Sequence, residues 1–346
     1  MPPTSIRLLN QHLAAPQFSL PEEVVAHFGA MQAQEYRMMR WAVAMRTKRP
    51  SQKAFTQAFD EGRIVRLHLL RGTWQLVSAA DYWWMLSLCG EKARRVISGW
   101  MSSNKISLPP DEIASIRRVL IDVAERLGSA TKEDFMTALS QRGIGIDAQR
   151  LSYHIRFAEL DGILCSGNLL PMKASYALSE AKIPATPAME RDEMLSLLTR
   201  KYFQSHQPAT LEDFVWWSGL GLTDCRRGIA ALGAALHTIK HKGRDFYLLD
   251  DCRTRGFRSG NYLLIPPYDE YLIGYKSRDL VLDPAHKHRA HNNSGIFQPI
   301  VAHNGEVCGN WTPFTPTPEV TFFAGTHPTQ APITQAISNY KKYQNK

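Results

Sequence analysis

The chain has 346 residues, 44% hydrophobic and 21% charged, a globular balance that excludes global disorder, a collagen-like rod and a coiled coil and leaves room for two to four folding units. Mean hydropathy is -0.28, no apolar run approaches a membrane span, and MPPTSIRLLNQHL has no secretory-signal character, so a soluble cytoplasmic protein is expected. The formal charge is +9, and Arg37–Lys105 alone holds thirteen basic residues against four acidic ones; such a field suits a polyanion such as DNA or RNA, or is a merely solvated basic surface.

In chain order, helices are expected near 5–13, 21–30, 35–46 and 51–60, strands at Ile64–Leu70 and Thr73–Val77, and a long apolar helix from about Ala80. Pro109-Pro110 stops this first unit. Asp111 then caps a helix with Ile113, Ile116, Val119, Leu120, Val123 and Leu127 at three- and four-residue steps, ended by Gly128. Thr131 with Asp134 opens a second helix, closed by Gly143. Asp147 opens a third, with Leu151, Ile155 and Leu160 inward and Gln149, Arg150, Tyr153, His154 and Arg156 outward. After Asp161-Gly162, residues Ile163–Ser179 read as two short strands around Gly167-Asn168. Three helices and a hairpin make a winged-helix pattern, in which the third helix enters the major groove and the hairpin is the wing.

That order recurs after the PATPAM linker. Glu190–Phe203 is helical, Thr210 opens a capping-box helix through Trp216-Trp217 to Gly219, and Thr223 caps a third helix through Ile229 and Leu232. LHTIKH and FYLLD then alternate as strands around Lys242-Gly243. The first hundred residues are a looser instance of the same unit. Past Gly256, short alternating runs broken by Gly, Pro and Asn suggest a β-barrel, followed by a helix near Ile333–Tyr343 with a basic tail. The expected fold class is therefore α+β: tandem winged-helix domains at 1–108, 109–185 and 186–255, then a small C-terminal β-barrel at 256–346.

Several chemistries find no support. The five cysteines are scattered singly with no C-x-x-C, which reads as idle thiols in a reducing compartment. There is no P-loop, no G-x-G-x-x-G and no H-E-x-x-H. His286, His288 and His291 lack a nearby cysteine or carboxylate, and Lys287 and Arg289 repel a cation; a phosphate-contacting loop or a solvated loop is the better reading. Trp83-Trp84 and Trp216-Trp217 sit in apolar helical patterns and are assigned to core packing. No metal or cofactor is implied.

Five segments in order carry a resemblance: GAMQAQEY at Gly29–Tyr36, WAVAMR at Trp41–Arg46, RLHLLRGTW at Arg66–Trp74, ATLEDFVWWSGL at Ala209–Leu220 and LLIPPYDEYLIGY at Leu263–Tyr275. Together they resemble the AlkZ-like winged-helix DNA glycosylase family over nearly the whole chain. The resemblance implies a C-shaped array of winged helices with a C-terminal barrel, and hydrolytic removal of N7-alkylated purines, in some members from interstrand crosslinks. The family's signature of Gln, an apolar residue, then Gln or Asp falls here on Gln32-Ala33-Gln34. By spacing alone the same residues read as two surface glutamines at a helix start.

Two amides are weak bases, so they serve only where the leaving group is already good. An N7-alkylated guanine carries positive charge, and orienting a water and stabilising charge at the sugar then suffices. Gln32 and Gln34 are thus the catalytic candidates. Arg37, Arg40, Arg66, His68, Arg71, Lys287 and Arg289 are the DNA-binding candidates; His68, in an alternating strand with Val65, Leu67 and Leu69, also reads as structural, though it shares a strand face with Arg66 that could point at the groove. The expected partner is double-stranded, alkylated DNA, met by a monomer away from membranes. Two alternatives stand beside the glycosylase: a non-catalytic winged-helix DNA-binding protein or transcriptional regulator, and a small-molecule-responsive domain with an incidental basic field.

Overall fold

A computed structural model of the protein describes residues 1–326 and 328–344. The N-terminal region runs α1 (Pro3–Asn10), α2 (Pro21–Phe28), β1 (Ala30–Gln32), α3 (Met39–Ala44), α4 (Gln52–Asp60), β2 (Ile64–Leu69), β3 (Thr73–Ser78) and α5 (Ala79–Ser103). Its antiparallel sheet has the order β1-β3-β2. The helix expected over 35–46 is shortened to α3, and the segment before it departs from helical expectation. Ala30, Met31 and Gln32 pair with Val77, Leu76 and Gln75 of β3. That pairing is set by a strand forty residues away, which local periodicity does not register.

The second region holds α6 (Pro110–Leu127), β4 (Ala130–Thr131), α7 (Lys132–Gln141), α8 (Ala148–Leu160), β5 (Leu164–Ser166), β6 (Ser175–Leu178) and α9 (Ser179–Lys182). The Thr131/Asp134 capping box and the Asp147 cap both form. Asp111 is not the cap of α6; Pro109 is, and Asp111 lies in the first turn where its charge meets the helix dipole. The face of α8 expected to be solvated is largely covered. Tyr153 packs with Ala93, Ile97 and Leu160 against α5, and His154 is buried with Nε2 2.8 Å from Glu112 Oε1. The middle of this helix is therefore unavailable to a DNA groove.

The third region holds α10 (Arg191–His206), α11 (Leu211–Ser218), α12 (Leu222–Leu232), β7 (Leu236–His241) and β8 (Arg244–Leu249). Thr210 and Asp213 form a capping box, and Gly219 ends α11 in the left-handed conformation. Gly221, not Thr223, caps α12. Lys242 and Gly243 both take positive φ, as a two-residue hairpin turn requires. Unlike α8, α12 leaves Thr223 and Arg226 exposed.

The last region holds β9 (Tyr262–Ile265), α13 (Glu270–Ile273), α14 (Lys287–Ala290), β10 (Ile300–His303), β11 (Glu306–Trp311), β12 (Val320–Phe322) and α15 (Gln330–Gln344). Its sheet has the order β12-β11-β10-β9, antiparallel throughout. Among the described residues β9 and β12 do not pair, so this is an open sheet and the barrel closure expected from sequence does not occur. Four short strands are too few to curl back on themselves. The basic tail extends from α15 through Lys341 and Lys342, and its end at 345–346 lies outside the described residues.

The N- and C-terminal regions share a core. Trp41, Met38 and Met45 pack among Leu264, Trp311 and Tyr340. A second shared core joins β2 and α5 to Tyr202, Phe214 and Trp217 of α10 and α11. Trp41, Trp84, Trp217 and Trp311 are buried, whereas Trp83 and Trp216 are only half-buried. All five cysteines are unpaired. No helix among the described residues is long and apolar enough to cross a membrane.

Candidate active site and nucleic-acid interface

Gln32 closes β1, and Ala33 N donates to Trp74 O at 2.9 Å, so the extended backbone continues past the strand. In extended chain, positions two apart lie on one side, whereas on a helix they would diverge by about 200°. Gln32 is 5% exposed. Its Oε1 accepts from Ala33 N at 3.2 Å and its Nε2 donates to Thr73 Oγ1 at 3.1 Å. An amide offers two lone pairs and two N–H groups, so one acceptor and one donor position remain. Gln34 is exposed in the bend that follows. Gln75, directly across from Gln32, donates to the same Thr73 Oγ1 at 2.9 Å, and its buried Oε1 has no partner among the described residues.

The motif's backbone is held from two sides. Gln32 N donates to Glu270 Oε1 at 2.6 Å, and Glu270 Oε2 lies 3.1 Å from both Trp217 Nε1 and His206 Nε2. Burial lowers the pKa of His206, so a neutral ring with its proton on Nε2 donates to this carboxylate. Beside it, Asp269 takes a bidentate pair from Arg46 at 2.7 and 2.8 Å, both groups buried. Four of the five segments singled out in the sequence thus meet at Asp269-Glu270. On the other side, Arg66 Nε and Nη2 donate to Ala33 O at 3.1 and 3.0 Å, with the guanidinium 3.7 Å over the Trp74 ring. This bond grips the middle carbonyl of Gln32-Ala33-Gln34.

Arg66 and His68 share a strand face as expected, but that face is interior. They are 4% and 3% exposed, and the strand alternation sets them opposite the side that carries Gln32 and Gln75. α8 and β5 cover them: Ser166 Oγ accepts from Arg66 N at 2.9 Å, and His68 Nδ1 is 2.5 Å from Glu159 Oε2. The assignment of Arg66 and His68 to DNA contact is therefore corrected, because α8 and β5 lie over the strand face that carries them. Burial pushes the Glu159 carboxyl up to about 8 and, with Arg156 and Arg66 nearby, holds His68 well below its usual value. Both shifts favour the uncharged forms of the two groups.

The remaining basic candidates lie at or near the surface. Arg37 is exposed and stacks 3.6 Å over Phe314, Arg40 donates to Pro171 O at 3.2 Å, and Lys287 and Arg289 are exposed on α14. Arg71 is half-buried and donates to the carbonyls of Trp216 and Trp217 at 2.9 and 2.8 Å, which lie unsatisfied at the end of α11. Of the charges around Trp216, sequence reading named Arg71 and missed Lys276 and Arg278. Arg71, Lys276 and Arg278 stand 5.3, 5.0 and 5.4 Å from its ring. Burial, and then the Arg71 charge, lower Arg278 to about 10. Of the histidine cluster, His286 packs on Phe323 and His291 stacks on Phe297.

A family model for DNA glycosylase AlkZ-like proteins matches residues 25–321. An interstrand DNA cross-link repair glycosylase of Streptomyces sahachiroi is 22% identical over 308 residues, spanning 84% of this chain and 81% of that protein. The structure of the S. sahachiroi DNA glycosylase AlkZ superposes with a TM-score of 0.79 at 19% identity, covering 99% of this chain and 95% of that one, a likeness of fold. With Gln32-Ala33-Gln34 buttressed by Glu270 and Arg66, and with the family match spanning most of its length, the chain belongs to the AlkZ-like DNA glycosylase family.

Proposed function

We infer that this protein is a monofunctional DNA glycosylase that hydrolyses the N-glycosidic bond of N7- or N3-alkylated purines in duplex DNA and unhooks interstrand crosslinks. The crosslink activity takes its support from the S. sahachiroi relative, an interstrand DNA cross-link repair glycosylase. The observation that carries the reading is the Gln32 amide. It is pinned by Thr73 and by its own backbone, yet it retains one acceptor and one donor position beside an exposed Gln34. A water held there attacks C1′ as the C1′–N9 bond breaks. The bond's electron pair neutralises the cationic base, and the water's proton passes to solvent, so no strong base is required. Glu270 and Arg66 are positioning residues in this scheme, acting through the backbone of residues 32 and 33.

The helix–helix–helix–hairpin order of α6–β6 and α10–β8 supports winged-helix units at 109–185 and 186–255, with a looser one at 1–108 and a separate C-terminal unit at 256–346. Arg37, Arg40, Arg71, Lys287 and Arg289 are the groups assigned to the DNA backbone, in a monomeric cytoplasmic enzyme. The test is release of free 7-methylguanine from alkylated duplex under single-turnover conditions. The Gln32→Ala, Gln34→Ala variant is expected to lose about a hundredfold or more in rate while keeping its affinity for undamaged duplex. Undiminished excision in that variant overturns the assignment, and no excision by the wild type leaves a DNA-binding protein.

A further inference from the structure

A cavity of about 340 Å³ opens between the segment after α13 and helix α14, lined by Lys276, Arg278, Lys287 and His291, with Asp279 as its one carboxylate. Its walls are built rather than draped. Lys276 N and Ser277 N both donate to the buried Asp213 Oδ1, at 2.8 and 3.2 Å, which fixes the loop to the cap of α11. Arg278 is pinned by donating from Nε to Leu272 O and from Nη1 to Lys276 O, both at 3.1 Å. Its guanidinium is wedged between Trp216 and Phe297, at 5.4 and 5.2 Å. The Nη2 of Arg278 is buried and has no hydrogen-bond partner among the described residues.

A buried guanidinium nitrogen without an acceptor is costly, and arginine forks match the oxygens of a phosphate. The surrounding charges sharpen the point. Arg71, Lys276 and Arg278 face one indole ring, and Lys287 closes the far wall of the cavity. Like charges held together by the fold repel one another until an anion enters. The location is also telling. Arg71 stands two residues before Thr73, the residue that holds the Gln32 amide, so the cation cluster flanks the turn next to the proposed reaction centre.

We propose that this cavity receives one backbone phosphate of the DNA duplex, with Lys276 and Lys287 supplying charge at its rim and the Arg278 guanidinium, part of its wall, turning its unpartnered Nη2 to donate to the phosphate. The proposal rests on the reading of the protein as one that acts on duplex DNA, and it adds a phosphate site on the side of Trp216. Lys276 and Lys287 are both exposed, so their replacement leaves the packed structure intact.

The experiment measures equilibrium binding against salt for a lesion-bearing duplex and for a set of duplexes in which single phosphates flanking the lesion are replaced by neutral methylphosphonates. Each phosphate contact contributes about 0.9 to the log–log salt slope. The Lys276→Gln, Lys287→Gln variant is expected to lose about one contact's worth of slope. One methylphosphonate position is expected to lower the wild-type slope equally, and to lower the variant's no further. A charge-matched control, Lys92→Gln with Arg95→Gln on α5, is expected to remain sensitive to that position. If every methylphosphonate lowers the slopes of wild type and variant alike, the pocket does not hold a DNA phosphate. If inorganic phosphate weakens DNA binding through the two lysines while no methylphosphonate position interacts with them, the cavity is a free-anion site and the proposal fails. Base release assayed on the same duplexes separates the two readings: excision without the coupling sinks the pocket alone, and coupling without excision sinks the glycosylase alone.

Discussion

Replacing Glu270 with glutamine exchanges one carboxylate oxygen for an amide nitrogen at the point where the motif is held. The carboxylate faces three N–H groups, from Gln32, Trp217 and His206. An amide offers one oxygen and one NH2, so at least one of those donors meets another donor. Hydrogen bonds to charged groups contribute about 1.5–3 kcal/mol, and a buried donor left unmet costs about 1–3 kcal/mol. The expected destabilisation is therefore about 2–4 kcal/mol, within the roughly 5–15 kcal/mol that a folded domain has. Urea unfolding measures it. Because Gln32 N is among the three donors, the Gln32 amide shifts as well, and a displacement near 1 Å costs about a hundredfold in rate. Single-turnover excision of 7-methylguanine by the folded variant measures that, with affinity for undamaged duplex as the control. A variant that loses the full stability yet excises at the wild-type rate would falsify the positioning role and leave Glu270 as a strut of the fold.

Two further outcomes follow from buried charge. Arg46→Met leaves Asp269 buried without its bidentate partner, and unfolding free energy is expected to drop by about 3–5 kcal/mol; a loss below 1 kcal/mol refutes the coupling drawn between the segment that follows α3 and the C-terminal region. Glu159 binds a proton in the folded protein up to about pH 8 that the unfolded chain releases near 4.5, so its contribution to stability is full below 4.5 and disappears as pH rises through 8. His68 is held low, and its own effect lies at and below pH 6.5, with Arg66 and Arg156 as the other charges facing the pair. Melting temperature from pH 7 to 9 is therefore expected to fall in the wild type relative to Glu159→Gln, and a constant gap across that range contradicts a neutral pair.

What could be read from the sequence was what neighbouring residues decide. The capping boxes at Thr131 and Thr210 and the Lys242-Gly243 turn are closed by partners one to three residues away, and all three form. Caps that compete with a nearby Gly or Pro were misplaced, as at Asp111 and Thr223, where Pro109 and Gly221 take the position. Long-range choices were opaque. Arg66 and His68 alternate correctly, yet nothing within β2 tells that their side lies against α8, whose Glu159 is 91 residues further on. The open C-terminal sheet had the right strands and the wrong closure, because strand count and edge pairing are properties of the assembled sheet. Of the candidate site, Gln32 and Gln34 were legible by resemblance. Glu270 and Asp269 lay inside a segment singled out for its pattern, but the partners that give them meaning lie more than two hundred positions upstream in Gln32 and Arg46.

That separation has a consequence for how the enzyme comes into being on the ribosome. The carboxylate that grips Gln32 is made 238 residues after it, so a nascent or truncated chain ending before α13 carries the whole glutamine motif without the hand that sets it. With Glu270 in the positioning role proposed for it, base excision awaits the synthesis of α13, and a chain cut short before that helix is expected to lack it.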